Sequence, residues 1–309
     1  MSVTSIIGGG VRLVRTQPKT VVIWAALYGV MMAVGMVVMR PITATMLALQ
    51  QQAAADAAAG VTSAPAIPPG WFGILFLFEL LFCVLAVIAF AAVVRAVSNP
   101  TGDRFAYLRL GMDELRLIGL GVMLVIAAFI AETIGILAVA LVGVIAGTIM
   151  GQAATIVVIT IAGLALLCGA IYAQVRLSLS GALTVLRGKI VIRDAWRITR
   201  GHFWTLFGVF TLLTAIFVVM TVVLIALTNP QLLAAYASLD QQATIAAAQQ
   251  QIARQGAGFT LGMIVQLVMG AIVGTVAGAI GCGAIATAAL QLGGTDMRHE
   301  EAGSAWTPR

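Results

Sequence analysis

The sequence predicts an all-α, polytopic membrane protein with six transmembrane helices and amphipathic helices at its cytoplasmic interface. Its 309 residues are 61% hydrophobic and only 9% charged, whereas soluble domains carry about 25% charged residues. Six apolar segments are long enough to cross a hydrocarbon core, which takes roughly 20 helical residues. The Lys and Arg residues gather in alternate gaps between these segments. We therefore expect residues 1–309 to form a single integral membrane domain.

The six predicted spans are continuous apolar runs, which favours helices over the short alternating segments of a membrane β-barrel. They cover residues 20–39, 71–94, 117–141, 153–175, 203–228 and 259–290. The first follows Arg12, Arg15 and Lys19, as a signal peptide would. Its apolar run is longer than the typical signal core of about 7–15 residues, so we expect this helix to be retained.

The basic residues predict the orientation of the chain. Fifteen of the 17 Lys and Arg residues lie in the N-terminal segment, in the gaps 95–116 and 176–202, and in the C-terminal tail. Short cytoplasmic loops carry such an excess, so both termini are expected in the cytoplasm. The net charge of +6 would then face the inner leaflet, whose anionic lipid headgroups are its natural partner. Nucleic acid is not expected, because no basic aromatic domain lies outside the membrane.

Two basic gaps are expected to hold amphipathic helices in the headgroup region. Around residues 192–200, one face has helical apolar spacing, and an adjoining face carries Arg193, Arg197 and Arg200. Around residues 105–116, an apolar stripe lies opposite the pair Arg109 and Asp113. Such helices either anchor the neighbouring spans or present Arg to lipid phosphates. Both roles remain open for these arginines.

The gaps on the other side differ in composition. Residues 41–70 and 229–258 contain Ala/Gln-rich stretches, which favour short helices. A disordered, low-complexity loop is the alternative. The connection near residues 147–152 is very short, which predicts a tight hairpin between the third and fourth spans.

Glu79 and Glu132 are the two acids within the predicted spans. At 1.5 Å per residue, Glu79 lies about 12 Å from the outer end of its span, and Glu132 lies about 22 Å from the inner end of its own. An acid at this depth is by default a hypothetical functional site, here for a proton or a substrate. The alternative is a neutral carboxylic acid that hydrogen-bonds between helices.

The sixth span contains Gly270, Gly274 and Gly278 at four-residue spacing. Rows of small residues let helix backbones approach closely. This face is expected to pack against another span of the same chain, with contact to a second copy or another protein as the alternative.

The composition argues against an enzyme, a cofactor or a metal centre. Cys83, Cys168 and Cys282 are isolated in separate spans, without the spacing of a disulfide framework or a zinc site. The common hydrolase, protease and phosphate-loop motifs do not occur. We expect a non-enzymatic protein without cofactor.

Residues 193–208 resemble a conserved segment of the membrane domain of glycerophosphoryl diester phosphodiesterase and of related bacterial proteins that consist of this domain alone. The matching positions are Trp196, Thr199, Arg200, Gly201, Phe203, Trp204, Phe207 and Gly208. The preceding Arg176-Leu-Ser-Leu-Ser is similar to the family's exit from its fourth span. The resemblance implies a six-span membrane domain without an activity of its own. Catalysis in those phosphodiesterases belongs to a soluble barrel, which this sequence does not contain.

Three functions are compatible with these patterns. The first is a structural or lipid-associated role at the inner leaflet, through Arg193, Arg197 and Arg200. The second is a small transporter or channel lined by Glu79 and Glu132. The third is a scaffold that binds a membrane enzyme through the sixth span. The Gly- and Ala-rich composition, without eukaryotic targeting signals, favours a bacterial cytoplasmic membrane.

Overall fold

The computed structural model describes residues 2–58, 70–99, 105–238, 240–256 and 260–304. These ranges are helical and contain no strand, which confirms the all-α prediction. A 3-10 turn at Phe105–Tyr107 follows the third helix. The α-helices are α1 (Val3–Thr16), α2 (Pro18–Ala58), α3 (Gly70–Ser98), α4 (Met112–Met150), α5 (Gln152–Leu177), α6 (Ser180–Arg187), α7 (Ile192–Ile198), α8 (Phe203–Thr228), α9 (Pro230–Ala237), α10 (Gln241–Gly256) and α11 (Leu261–Ser304).

Within the described ranges, six helical stretches are long and apolar enough to cross a membrane, as predicted. They are Pro18–Met46, Gly70–Ser98, Met112–Ile149, Gln152–Arg187, Phe203–Thr228 and Leu261–Gly293. Most are longer than the predicted spans, because a helix does not end where its apolar run ends. The helix of the first span, α2, continues past Arg40 and Pro41 into the Ala/Gln-rich stretch. The residues of this stretch have high helix propensity.

The second Ala/Gln-rich gap is also helical. It forms α9 and α10, and α10 packs against both α9 and α2. The Thr244 hydroxyl donates to the carbonyl oxygen of Ala235 at 3.3 Å, which links α10 to α9. Over their described residues, both Ala/Gln-rich gaps are therefore helical rather than disordered loops. Residues 59–69 of the first gap lie outside the described residues.

The third and fourth spans form the predicted tight hairpin. A single residue, Gly151, separates α4 from α5, and its φ of 78° is a value that glycine adopts readily. Gly135 and Gly143 of α4 face Leu166 and Ile159 of α5, respectively. Small residues on one helix thus accommodate branched residues on the other.

The chain divides into two compact units. The first contains Met1–Gly10, Phe90–Thr211 and Cys282–Arg309, and the second contains Val11–Ala89 and Leu212–Gly281. The basic gaps 95–116 and 176–202 both belong to the first unit. Its most enclosed large side chains include Ile6, Val94, Leu179, Leu183 and Leu206. These enclosed side chains come from α1, α3, the start and interior of α6, and α8.

The predicted helix over residues 105–116 is wrong. Ala106 and Tyr107 have φ values of 53° and 61°, a left-handed conformation that interrupts a helix. Gly111 is extended and donates its backbone N–H to the Glu114 carboxylate at 2.8 Å. This bond caps the first turn of α4, so the helix begins at Met112. Arg109 therefore precedes the helix that carries Asp113.

The predicted helix over residues 192–200 corresponds to α7, which ends at Ile198. Two further short helices, α1 and α6, were not predicted. In α1 the apolar side chains of Ile6 and Leu13 are buried, seven residues apart on one helix face. That spacing was a usable signal in the sequence.

Candidate anion-binding surface

Helix α7 is held in place by one buried face. Ala195 and Thr199 are fully buried. The Thr199 hydroxyl donates to the carbonyl oxygen of Arg176 at the end of α5, at 3.2 Å. An ion pair of 2.7 Å between Arg187 and Asp194 joins α6 to α7. The orientation of α7 is thus determined by contacts with both neighbouring helices.

The opposite side of α7 presents the three predicted arginines. Arg193 and Arg197 lie on the helix, Arg200 lies in the turn that follows it, and all three side chains are exposed. The structure therefore places these cations together on one short element. Arg109 is also exposed, at 70%, but it lies before α4 and is 3.9 Å from Asp113. It is not part of the α7 face.

A fourth arginine, which was not predicted as a site residue, lies beneath this surface. Arg176 is only 4% exposed. Its guanidinium carbon lies 4.7 Å from the ring centroid of Trp196 and 5.7 Å from that of Tyr172. Its Nε is enclosed without a hydrogen-bond partner, and among the described residues its guanidinium forms no ion pair.

Aromatic rings continue from this arginine onto the first turn of α8. The ring centroids of Tyr172 and Trp196 are 6.0 Å apart, and those of Tyr172 and Phe203 are 5.0 Å apart. Phe203 also contacts Trp204 and Phe207. Trp196, Phe203, Trp204 and Phe207 all belong to the segment that carries the family resemblance. Their shared role is to build one aromatic cluster at the junction of α5, α7 and α8.

The Arg176 environment does not fully compensate its charge. A guanidinium stays protonated in proteins, and burying an ion costs several kcal/mol. A desolvated cation–π contact returns about 2 kcal/mol, and a ring face accepts none of the in-plane N–H donors. No acid lies within four residues of Arg176, where a helical ion pair would form, but the same is true of Arg12 and Arg187, so the sequence alone does not single out Arg176.

Arg95 has a different environment, because acids surround it. Its Nη2 lies 2.6 Å from Glu114 Oε1 and 3.1 Å from Asp113 Oδ2. Glu114 is 3% exposed at its side chain. Arg116 also pairs with Asp113, at 3.2 Å. This network ties the end of α3 to the first turn of α4, which is a structural role.

Glu79 and Glu132 are both exposed on their helices. The Cys83 thiol, one turn away, donates to Glu79 Oε1 at 3.9 Å. Glu79 belongs to the second unit and Glu132 to the first. A cavity of about 140 Å³ is lined by residues of α9 and α10 and by Asn229, and neither glutamate belongs to it. Both interpretations of the glutamates remain predictions.

The glycines of the sixth span have unequal surroundings. A Cβ on Gly274 would lie 2.8 Å from Tyr28 Cε1 of α2, and one on Gly270 would lie 3.9 Å from the Met32 side chain. A Cβ on Gly278 would have nothing within 4 Å. The close approach of α11 to α2 therefore centres on Gly274.

We expect Gly274→Ala to destabilise the protein by about 1 kcal/mol, because the added methyl group overlaps the Tyr28 ring, which must shift. Thermal unfolding of the purified protein in detergent would measure this. Gly278→Ala is the matched control and should leave stability unchanged or slightly increase it. Equal effects of the two substitutions would contradict the predicted packing.

Protein-family models, curated proteins and solved structures were compared with the chain, and none matches it. Among the described residues, no group of three or more His, Cys, Asp or Glu side chains is placed to hold a metal ion. The fold defines a class, a six-span helical membrane protein. The family resemblance of residues 193–208 remains a prediction.

Proposed function

We propose that this protein is a non-enzymatic, lipid-associated membrane protein that binds anionic headgroups through the exposed arginines of α7. The observation that supports this proposal is that α7 has one buried side and one exposed, basic side. One side is buried against α5, and the other presents Arg193, Arg197 and Arg200. Lipid phosphates are the ligands that such an Arg face suits best.

The proposal includes an orientation. The gaps that carry most of the Lys and Arg residues would face the cytoplasm, with both termini on that side. A bacterial cytoplasmic membrane, whose inner surface is anionic, would then supply the partner. The spacing of charges supports this arrangement, and the resemblance to a membrane domain without its own catalysis agrees with a non-enzymatic role.

The experiment compares the wild-type chain with the variant Arg193→Gln, Arg197→Gln, Arg200→Gln in nanodiscs of mixed phosphatidylglycerol and phosphatidylcholine. Native mass spectrometry counts the lipids that remain bound. We expect the variant to lose at least about tenfold in its preference for phosphatidylglycerol, since each basic residue near an anionic surface contributes about 1 kcal/mol and 1.4 kcal/mol is tenfold.

The matched control is Arg254→Gln, which removes one positive charge from the gap predicted to lie on the opposite side. Its lipid preference should equal that of the wild type. Rising salt should weaken the wild-type preference, because exposed charges are screened over about 10 Å at 0.1 M. A wild-type chain without preference for phosphatidylglycerol would refute the proposal.

A further inference from the structure

We propose that Arg176, Trp196 and Tyr172 form a binding site for one phosphate group. This site is distinct from the exposed arginines of α7, because its cation is buried. Arg176 has the features of an incomplete site: it is 4% exposed, its Nε has no partner, and no described carboxylate pairs with it. A phosphate supplies both the missing negative charge and the missing hydrogen-bond acceptors.

The contacts of Arg176 leave its donors available. A guanidinium that lies over an aromatic ring uses its flat face, whereas its N–H groups point outward in its plane. The guanidinium carbon lies over the Trp196 and Tyr172 rings, 4.7 Å and 5.7 Å from their centroids. These two rings are nearly perpendicular, at 81°, so the guanidinium can lie flat on at most one of them. A guanidinium that lies flat on one ring keeps its N–H groups in its plane, where one edge can bind two phosphate oxygens at once.

The surroundings of Arg176 favour an anion further. The Tyr172 ring also contacts Phe203, the first residue of α8. The N-terminus of this 26-residue helix carries partial positive charge and free backbone N–H groups. The nearby acid Asp194 is already paired with Arg187. The N-terminus of α8 therefore adds partial positive charge at the junction of α5, α7 and α8.

Two sources could supply the phosphate, a phospholipid headgroup or free inorganic phosphate. Tyr172 and Trp204 expose large ring surfaces beside the site, and exposed aromatic rings of a membrane protein commonly lie at headgroup level. This arrangement favours the phospholipid. The inference uses the proposed function only for the membrane location, since a lipid held at Arg176 does not require the exposed arginines.

The experiment uses the full chain, purified in detergent and depleted of lipid. Short-chain phosphatidylglycerol and phosphatidylcholine are titrated with native mass spectrometry as the readout, and inorganic phosphate is titrated by calorimetry. We expect saturable binding of one phosphate-containing molecule per chain. Arg176→Met should weaken this binding by at least about tenfold, because a charge-assisted hydrogen bond is lost.

Arg254→Met is the control, since it makes the same replacement in the gap predicted to lie on the opposite side, and it should bind as the wild type does. Arg176→Met replaces a buried charge with an apolar side chain of similar length, which proteins often tolerate. If that variant does not fold, Arg176→Lys replaces it. Lysine keeps the charge but lacks the planar fork, so its affinity should fall below that of the wild type, and equal affinity would overturn the inference.

The outcomes separate the two sources and the two proposals. Binding of both phospholipids but not of inorganic phosphate identifies a lipid site, and equal binding of inorganic phosphate identifies a free-anion site. Equal binding by the wild type and Arg176→Met, or no binding by either, overturns the inference. Loss of binding in the triple variant of α7, with retention in Arg176→Met, would overturn the inference and support the exposed arginines alone.

Discussion

Replacement of Glu114 by Ala is expected to destabilise the protein by about 3 kcal/mol. Breaking a buried ion pair costs about 3–5 kcal/mol, because the remaining charge stays buried without its partner. Arg95 would keep Asp113 at 3.1 Å, which places the loss at the lower end. The substitution also removes the carboxylate that accepts the Gly111 N–H at 2.8 Å, so α4 loses its cap as well.

Thermal or denaturant unfolding of the purified protein in detergent would measure the change. Arg109→Gln is the control, because Arg109 is 70% exposed and 3.9 Å from Asp113. An exposed pair of this kind contributes about 0–1 kcal/mol. If Glu114→Ala is as stable as Arg109→Gln, the Arg95 network does not hold α3 against α4.

The sequence was sufficient to predict the parts of the fold that depend on composition and chain length. Six spans follow from uninterrupted apolar runs, and the α4–α5 hairpin follows from a connection too short for any other path. The α7 helix follows from a 3.6-residue pattern in which Ala195 and Thr199 are buried. In each case the evidence lies within one local stretch of residues.

The helical pattern of apolar residues gave a wrong prediction where a few local contacts determine the backbone conformation. Residues 105–116 carry a helical apolar pattern, yet the left-handed backbone at Ala106 and Tyr107 interrupts it. The cap from Glu114 then starts the helix at Met112. Neither feature is visible in the spacing of apolar residues, because a turn conformation and a capping bond depend on individual side chains.

The candidate site was predicted in part. The exposed arginines of α7 were recognisable because basic residues at helical spacing stand out in a sequence. Arg176 was recognised as a basic residue of its gap and as part of the family resemblance, but not as a site residue. Its burial depends on Trp196 and Thr199, which lie 20 or more residues away and meet it only through the α5–α7 packing. Long-range packing of this kind cannot be deduced from local periodicity.

The contacts that an added methyl group would make predict opposite changes in stability for two adjacent glycines of α1. A Cβ on Gly9 would lie 2.8 Å from both Cβ and Cγ2 of Thr287 in α11. Thr287 is β-branched, and its hydroxyl already donates to the Gly283 carbonyl oxygen at 2.8 Å, so the side chain cannot turn away freely. We expect Gly9→Ala to cost about 1–3 kcal/mol through overpacking. A Cβ on Gly8 would have nothing within 4 Å.

Gly8→Ala should therefore stabilise the protein by about 0.5–1 kcal/mol, because Ala loses less backbone entropy than Gly on helix formation. Thermal unfolding of both variants beside the wild type gives the two signs directly. Stabilisation by both substitutions would mean that the Gly9 face of α1 does not pack against Thr287 of α11. Destabilisation by both would mean that α1 meets a second surface at Gly8. Opposite signs would support packing of α1 on α11 through the helix face that carries Gly9.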